Sequence, residues 1–198
     1  LDVGPLFVEN RYIDSHRWWP HHTWRNAWQL AQWVDAPRLR IEFLNPTRNQ
    51  HLYHDDPLAP MQWPFVSIVA MSLPFAPLAW CEVTHLSDEL RVQAATLIDI
   101  WKPLRQRWAS GVIHCVGKCP DGSGLSAILS HSDNGLLVIA VRGLGSAMHL
   151  HIELAELGIQ QPSAASFCQH GSGHASIENG ILSIAVSKQR GHGIFDFQ

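Results

Sequence analysis

The chain has 198 residues, 46% of them hydrophobic and 16% charged, with 14 Lys+Arg against 17 Asp+Glu and a formal net charge of -3. That is enough apolar material for a sizeable core, which excludes disorder, and the charge offers no basic footprint for a phosphate backbone, so nucleic acid is not an expected partner. The most apolar stretch, residues 65–80, is interrupted by Pro74 and Pro77 and is shorter than the roughly 20 residues that cross a bilayer, so no membrane segment is expected.

Residues 1–8 read as a buried strand, after a start (Leu1-Asp2-Val3-Gly4) with neither Met nor leader pattern, as if processing or truncation had removed the beginning. Residues 23–34 read as a helix, because Trp24, Ala27, Trp28, Ala31 and Val34 recur at helical spacing. Leu39, Ile41 and Phe43 alternate with Arg40 and Glu42, which predicts a second strand. Residues 60–71 suggest a helix with Pro in its first turn, and 78–83 a third strand. Ser87 is a suitable N-cap, with Asp88 and Glu89 at the positive end of a helix that runs to about Trp108 and kinks at Pro103.

Composition shifts near Gly111. All nine Trp lie at or before Trp108, whereas thirteen of the fourteen Gly lie at or after Gly111, which predicts two domains, 1–110 and 111–198. In the second, Asp133-Asn134-Gly135 and Asn179-Gly180 are hairpin turn signals, since primed turns need positive φ. With runs at 112–116, 125–129, 136–141, 148–154, 174–177, 181–186 and 193–197, the count reaches about seven strands and predicts an antiparallel β-sandwich. The fold class is thus α/β plus all-β. Three strand-helix units imply a parallel sheet but cannot close an eight-stranded barrel, so they suggest the last three βα units of a (β/α)8 TIM barrel.

In such barrels the active site lies at the carboxyl ends of the strands. After the first strand come Glu9, Asn10, Arg11, Asp14 and Trp19, a set of carboxylates, hydrogen-bonding groups and aromatics that suits a sugar. After the second come Asn45 and Arg48, followed by His51, His54 and Asp55, whose spacing is weak support for a metal site. Glu82 ends the third strand, as a substrate-facing residue or as half of a structural ion pair. Each of these segments is also explained as a solvated loop. His149 and His151 share one face of a strand, Cys115 and Cys119 could pair or bind metal, and neither Gly143-Leu144-Gly145 nor Gly171-Ser172-Gly173 sits where a phosphate cradle would. No cofactor is expected.

The runs Val8-Glu9-Asn10-Arg11-Tyr12-Ile13-Asp14, Trp24-Arg25-Asn26-Ala27-Trp28 and Glu42-Phe43-Leu44-Asn45-Pro46-Thr47-Arg48-Asn49, with Pro77-Leu78-Ala79-Trp80-Cys81-Glu82 and Val116-Gly117-Lys118-Cys119-Pro120-Asp121-Gly122, resemble the closing part of α-galactosidase-like (melibiase-type) glycoside hydrolases. The resemblance implies a catalytic barrel followed by a C-terminal β domain, and retaining hydrolysis of α-linked sugars by two carboxylates. It implies that Glu9 or Asp14 is the acid/base, although Gly4-Pro5 is followed by Leu6 where the family often has Asp, and that the nucleophile's strand precedes Leu1. Asn10, Arg11, Trp19, Asn45, Arg48 and Glu82 become candidates for binding a carbohydrate substrate. The chain alone is then expected to be inactive and to need the missing N-terminal part of the same polypeptide. The alternative is a non-catalytic carbohydrate-binding or scaffold module.

Overall fold

The computed structural model describes residues 6–8, 17–79, 83–160 and 166–198. Its first part is a three-stranded parallel sheet in chain order, β1 (Leu6–Val8), β2 (Leu39–Phe43) and β3 (Ala76–Ala79). Val8 lies opposite Ile41, and Phe43 opposite Ala79, so all three carboxyl ends emerge at one edge. Strands that follow one another in the chain are thus neighbours in a three-stranded parallel sheet. The third strand begins two residues earlier than the apolar run suggested, because Ala76 and Pro77 already carry the ladder, and the expected extension over 80–82 lies outside the described residues.

Helix α1 (Pro20–Leu30) follows β1 with Pro at its first position, where the missing N–H is not needed, and buries Trp24, Ala27 and Trp28. The single helix expected over 60–71 is two elements, a turn of 3-10 helix at Pro60–Gln62 and α2 (Phe65–Ser72). Pro64 is the cause: it takes an extended ψ of 130° and serves as the N-cap, which Pro allows but the helix interior does not. Helix α2 is apolar on every side, and Phe65, Ile68, Val69, Ala70 and Met71 are all buried. Helix α3 (Asp88–Trp101) is capped by Ser87, whose Oγ accepts from Leu90 N at 3.3 Å. The expected kink at Pro103 is a full break, with α4 (Arg105–Ser110) beyond it.

The remainder is two antiparallel sheets. One has the order β4 (Val112–Gly117), β5 (Leu125–Ser132), β6 (Gly135–Arg142), β11 (His192–Phe197), β8 (Ser166–Gly171). The other is β7 (His149–Glu153), β10 (Ile181–Val186), β9 (Gly173–Glu178). Strand β8 was absent from the sequence reading.

The five-stranded sheet is apolar on both faces. Leu129, Leu136, Val138, Ala140, Phe195 and Phe197 pack with Ile177, Leu182, Ile184 and Val186 inside the sandwich. The alternate residues Ile128, Leu137, Ile139, Val141 and Ile194 join Trp24, Trp28, Val69, Trp101 and Trp108 in a second core shared with the α/β part. Polar contacts stitch that seam. Trp24 Nε1 donates to Ser126 Oγ at 2.9 Å, Trp28 Nε1 to the Ala127 carbonyl at 3.1 Å, and Ser130 Oγ to the Trp108 carbonyl at 2.8 Å. Burying one Trp removes enough apolar area from water to contribute roughly 4–6 kcal/mol as an upper estimate, so three buried indoles hold the seam shut.

An ion pair and a buried imidazole sit in the seam. Arg107 of α4 pairs with Asp196 of β11, a carboxylate only 1% exposed that also accepts from Gln198 Nε2 at 2.9 Å. Ser67 of α2 meets His192 Nδ1 at 2.9 Å, and His192 Nε2 meets His170 Nδ1 at 2.9 Å, a chain of hydrogen bonds from the core to the half-exposed His170. Burial, reinforced by the neighbouring imidazole, lowers His192 to about 3, so it is neutral at ordinary pH.

Candidate functional site

The edge where the parallel strands end is occupied by residues 44–63 and by the start of α1. Asn45 is buried directly after β2, and its Oδ1 accepts from both the backbone N (3.0 Å) and Oγ1 (2.8 Å) of Thr47. This Asx turn uses both acceptor positions of the amide oxygen. Arg48 is exposed, with its backbone N donating to the Asn45 carbonyl at 3.1 Å.

Trp19 occupies the N-cap position of α1, and its indole is fixed on three sides. Nε1 donates to Asp56 Oδ2 at 2.7 Å, Tyr53 meets the ring edge-on at 5.5 Å, and the Arg17 guanidinium lies 5.5 Å from the ring centre. Tyr53 also clamps the chain before the helix: its hydroxyl accepts from Trp18 N at 2.7 Å and donates to the Trp18 carbonyl at 3.0 Å. Of the residues singled out in the sequence, Trp19, Asn45 and Arg48 are therefore carried to one edge of the sheet, with Trp19 tied directly to the 44–63 segment. Glu9, Asn10, Arg11, Asp14 and Glu82 lie outside the described residues.

Sequence reasoning did not single out His21, His22, Tyr53, Asp56 or the burial of Glu42. His21 and His22 open α1 with ring centres 4.3 Å apart, and His21 stacks parallel to Trp63 at 6.5 Å. Burial lowers His21 to about 4, with His22 adding to the effect and Asp56 opposing it; burial also lowers His22. Both rings are thus neutral near pH 7, and the Nδ1 atoms of both are buried without a hydrogen-bond partner among the described residues. Such an unmet polar atom is costly, so this edge presents two imidazoles with hydrogen-bonding capacity to spare. The β-sandwich reaches the same place. Gly122, in a turn with positive φ, approaches so closely that a Cβ there would lie 2.6 Å from Leu58 and 3.0 Å from His21, and Arg190 Nη1 donates to the Pro57 carbonyl at 3.1 Å.

Glu42, on the strand face that alternates with Leu39, Ile41 and Phe43, is 1% exposed. It shares a crevice too tight for water with Trp18, Thr23, Ile68, Met71 and Ser72, and it is an engaged carboxylate. A parallel strand covered on both faces buries its polar side as well, which alternation alone cannot reveal.

Among the described residues no group of three His, Cys, Asp or Glu is placed to hold a metal ion, so His51, His54 and Asp55 do not converge. Cys115 and Cys119 are free thiols rather than a pair. Cys115 Sγ donates to the Trp28 carbonyl at 3.2 Å, with burial pushing the thiol up to about 12, and Cys119 Sγ accepts from Gln29 Nε2 at 3.3 Å. His149 and His151 stack on the outer face of β7, where His151 bonds Ser183 Oγ at 2.9 Å.

No protein-family model matches the sequence, and no curated protein matches it. Solved structures do share its fold. An α-amylase from Geobacillus thermoleovorans, complexed with acarbose, superposes with a TM-score of 0.51 at 10% identity over 90% of this chain and 46% of that one. A debranching enzyme from Nostoc punctiforme gives 0.48 at 11% identity over 71% and 32%, and an α-amylase from H. orenii gives 0.47 at 11% over 90% and 47%. The chain thus spans between about a third and just under half of these proteins. The Geobacillus likeness is one of fold alone, mixed helix and sheet ending in antiparallel sheets. The Geobacillus neighbour is an α-amylase, so the likeness does not single out the α-galactosidase-like group.

Proposed function

We propose that these 198 residues are the C-terminal part of a retaining glycoside hydrolase acting on α-linked sugars, with residues 1–110 closing its barrel and 111–198 forming its β domain. The observation that carries this reading is the sequential parallel sheet β1-β2-β3, whose strands end, at Val8, Phe43 and Ala79, on one edge, as the strands of a catalytic barrel do. The fixed indole of Trp19 at that edge and the fold likeness to a Geobacillus α-amylase support it. Glu9 or Asp14 acts as the acid/base, Asn10, Arg11, Trp19, Asn45, Arg48 and Glu82 bind the sugar, and α-galactosides are the substrates that the sequence motifs favour.

Retaining chemistry needs two carboxylates roughly 5–5.5 Å apart. In this reading the nucleophilic one comes from polypeptide beyond these 198 residues, and the chain by itself does not turn over substrate. The neutral His21 and His22 suit hydrogen bonding to hydroxyls rather than proton donation near pH 7.

The test is hydrolysis of aryl α-galactosides and aryl α-glucosides by the 198-residue chain beside a form extended upstream, with Glu9→Gln and Asp14→Asn made in the longer form. The expected result is activity in the extended form alone, lost with one of the two substitutions. A folded extended form that hydrolyses neither substrate would sink the enzyme reading and favour a carbohydrate-binding or scaffold module.

A further inference from the structure

Trp33 is the most exposed large hydrophobic residue among those described, at 88%, in a protein whose other described Trp side chains are mostly core. It lies between α1 and β2, hence at the end of the sheet opposite the strand carboxyl ends. Its backbone is not loose: Trp33 N and Val34 N both donate to the Leu30 carbonyl at 2.9 Å, and Arg38 N donates to the Asp35 carbonyl at 2.9 Å. The indole is therefore presented on an ordered helix end, and little backbone freedom remains to be lost when something binds it.

Beside it runs an open groove of about 510 Å³, within the size range of small-ligand clefts. One side is formed by Gln32, Asp35 and Arg38, and the other by Val112 and Ile113 at the start of β4. Gly111 belongs to this wall, and the chain there runs so close to β5 that a Cβ would fall 2.1 Å from Ser130 Oγ, so the groove's shape is set by the seam between helices and sheet.

The chemistry of the lining selects its occupant. An exposed aromatic face wants a flat apolar surface to cover it. The Asp35 carboxylate and Arg38 guanidinium are paired at 3.6 Å, so the groove carries both signs of charge with little net field. An anion meets Asp35 and a cation meets Arg38, whereas a neutral ligand with many hydroxyls can donate to Asp35 and accept from Arg38 and Gln32. A protein interface centre is depleted in charge, whereas here Gln32 and the charged Asp35 and Arg38 stand among the apolar Trp33, Val112 and Ile113 of one groove. A pyranose offers both an apolar ring face and a rim of hydroxyls.

We propose that the Trp33 groove is an accessory binding site for a neutral oligosaccharide, remote from the strand-end site. That the sugar is α-linked rests on the glycosidase reading; the site itself does not require catalysis. It would hold a carbohydrate chain on the enzyme without touching the reacting bond.

The experiment labels the 198-residue chain with 5-fluorotryptophan and identifies the Trp33 fluorine resonance by its loss in Trp33→Phe. Maltoheptaose, stachyose and the β-linked cellohexaose are then titrated to about 10 mM, a range that captures weak millimolar sites. The expected result is a saturable shift of that resonance with an α-linked probe, and a calorimetric affinity that falls about tenfold or more in Trp33→Ala. A resonance that stays still with every probe, or an affinity unchanged in Trp33→Ala, would overturn the proposal. So would light scattering that finds the wild type self-associated and Trp33→Ala monomeric, since the indole would then serve a protein contact. Response to cellohexaose alone would overturn the α-linked assignment. Because an 88% exposed residue contributes little to the core, the melting curve of Trp33→Ala should overlay that of the wild type. Loss of hydrolysis in the upstream-extended form with sugar binding at Trp33 intact would count against the catalytic reading and leave the accessory site standing.

Discussion

Replacing His192 with Gln removes the buried titratable link between Ser67 and His170. The folded protein holds this imidazole neutral, with its pKa lowered to about 3, against an ordinary value of 6.5 once unfolded. The sign follows from proton binding: below pH 6.5 the unfolded chain takes up a proton that the folded chain refuses, so stability is fully present above that pH and drains away as pH falls toward 3. Between pH 7 and pH 4 the unfolded group crosses about 2.5 pH units of protonation while the folded group stays mostly neutral. At 1.36 kcal/mol per unit this is about 3 kcal/mol, a large share of an ordinary domain's stability. The Gln side chain lacks this titration. It should cost about 1–2 kcal/mol at pH 7 through lost hydrogen bonds, but its stability should fall less steeply in acid. Urea denaturation followed by circular dichroism at pH 7, 6, 5 and 4 gives the difference between the two proteins, in which His21 and other titrating groups cancel. Parallel acid slopes for wild type and His192→Gln would refute the assignment of acid sensitivity to this chain of hydrogen bonds.

Arg107→Met should destabilise the fold by about 3–5 kcal/mol, because it leaves the buried Asp196 carboxylate with only the Gln198 amide; a urea midpoint within error of wild type would show the pair to be dispensable. Adding Asp196→Leu should recover much of that loss, since the unpaired charge goes with it. Gly143→Ala should cost about 2 kcal/mol or more, as its Cβ would meet the Gly122 carbonyl at 2.0 Å while Gly143 N is held by the Gly124 carbonyl at 2.8 Å. Gly124→Ala, whose nearest neighbour would be the Lys118 side chain at 3.6 Å, is the matched control, and equal melting temperatures for the two variants would count against the clash.

Local rules made much of the fold legible. Strand β10 matches its expected bounds because the Asn179-Gly180 turn fixes one end, with Asn179 at φ 51° and Gly180 at φ 79°. Ser87 marked the start of α3 through its capping hydroxyl. Strand β8, Ser-Phe-Cys-Gln-His-Gly, escaped because an edge strand needs neither alternation nor a strong apolar run; its ladder to β11, not its own composition, makes it a strand. The candidate site was legible where it depended on following a strand end, as for Trp19, Asn45 and Arg48. His21 and His22, by contrast, carry no local pattern that marks them as part of a site. Their significance depends on Trp63 and Gly122, and that of Trp19 on Asp56, 37 positions away, contacts that no local pattern encodes.

The five-stranded sheet has one face in each core, with Ile128, Leu137, Ile139, Val141 and Ile194 turned toward the helices. It is a party wall, and neither tenant can leave without exposing the other's side. Residues 111–198 grafted onto a foreign barrel would carry a greasy, unmatched panel of five branched aliphatics and demand a host that supplies indoles in the positions of Trp24, Trp28 and Trp108. The same holds for inheritance: substitutions on either side of Gly111 are judged by residues on the other, so the two parts are bound to change together.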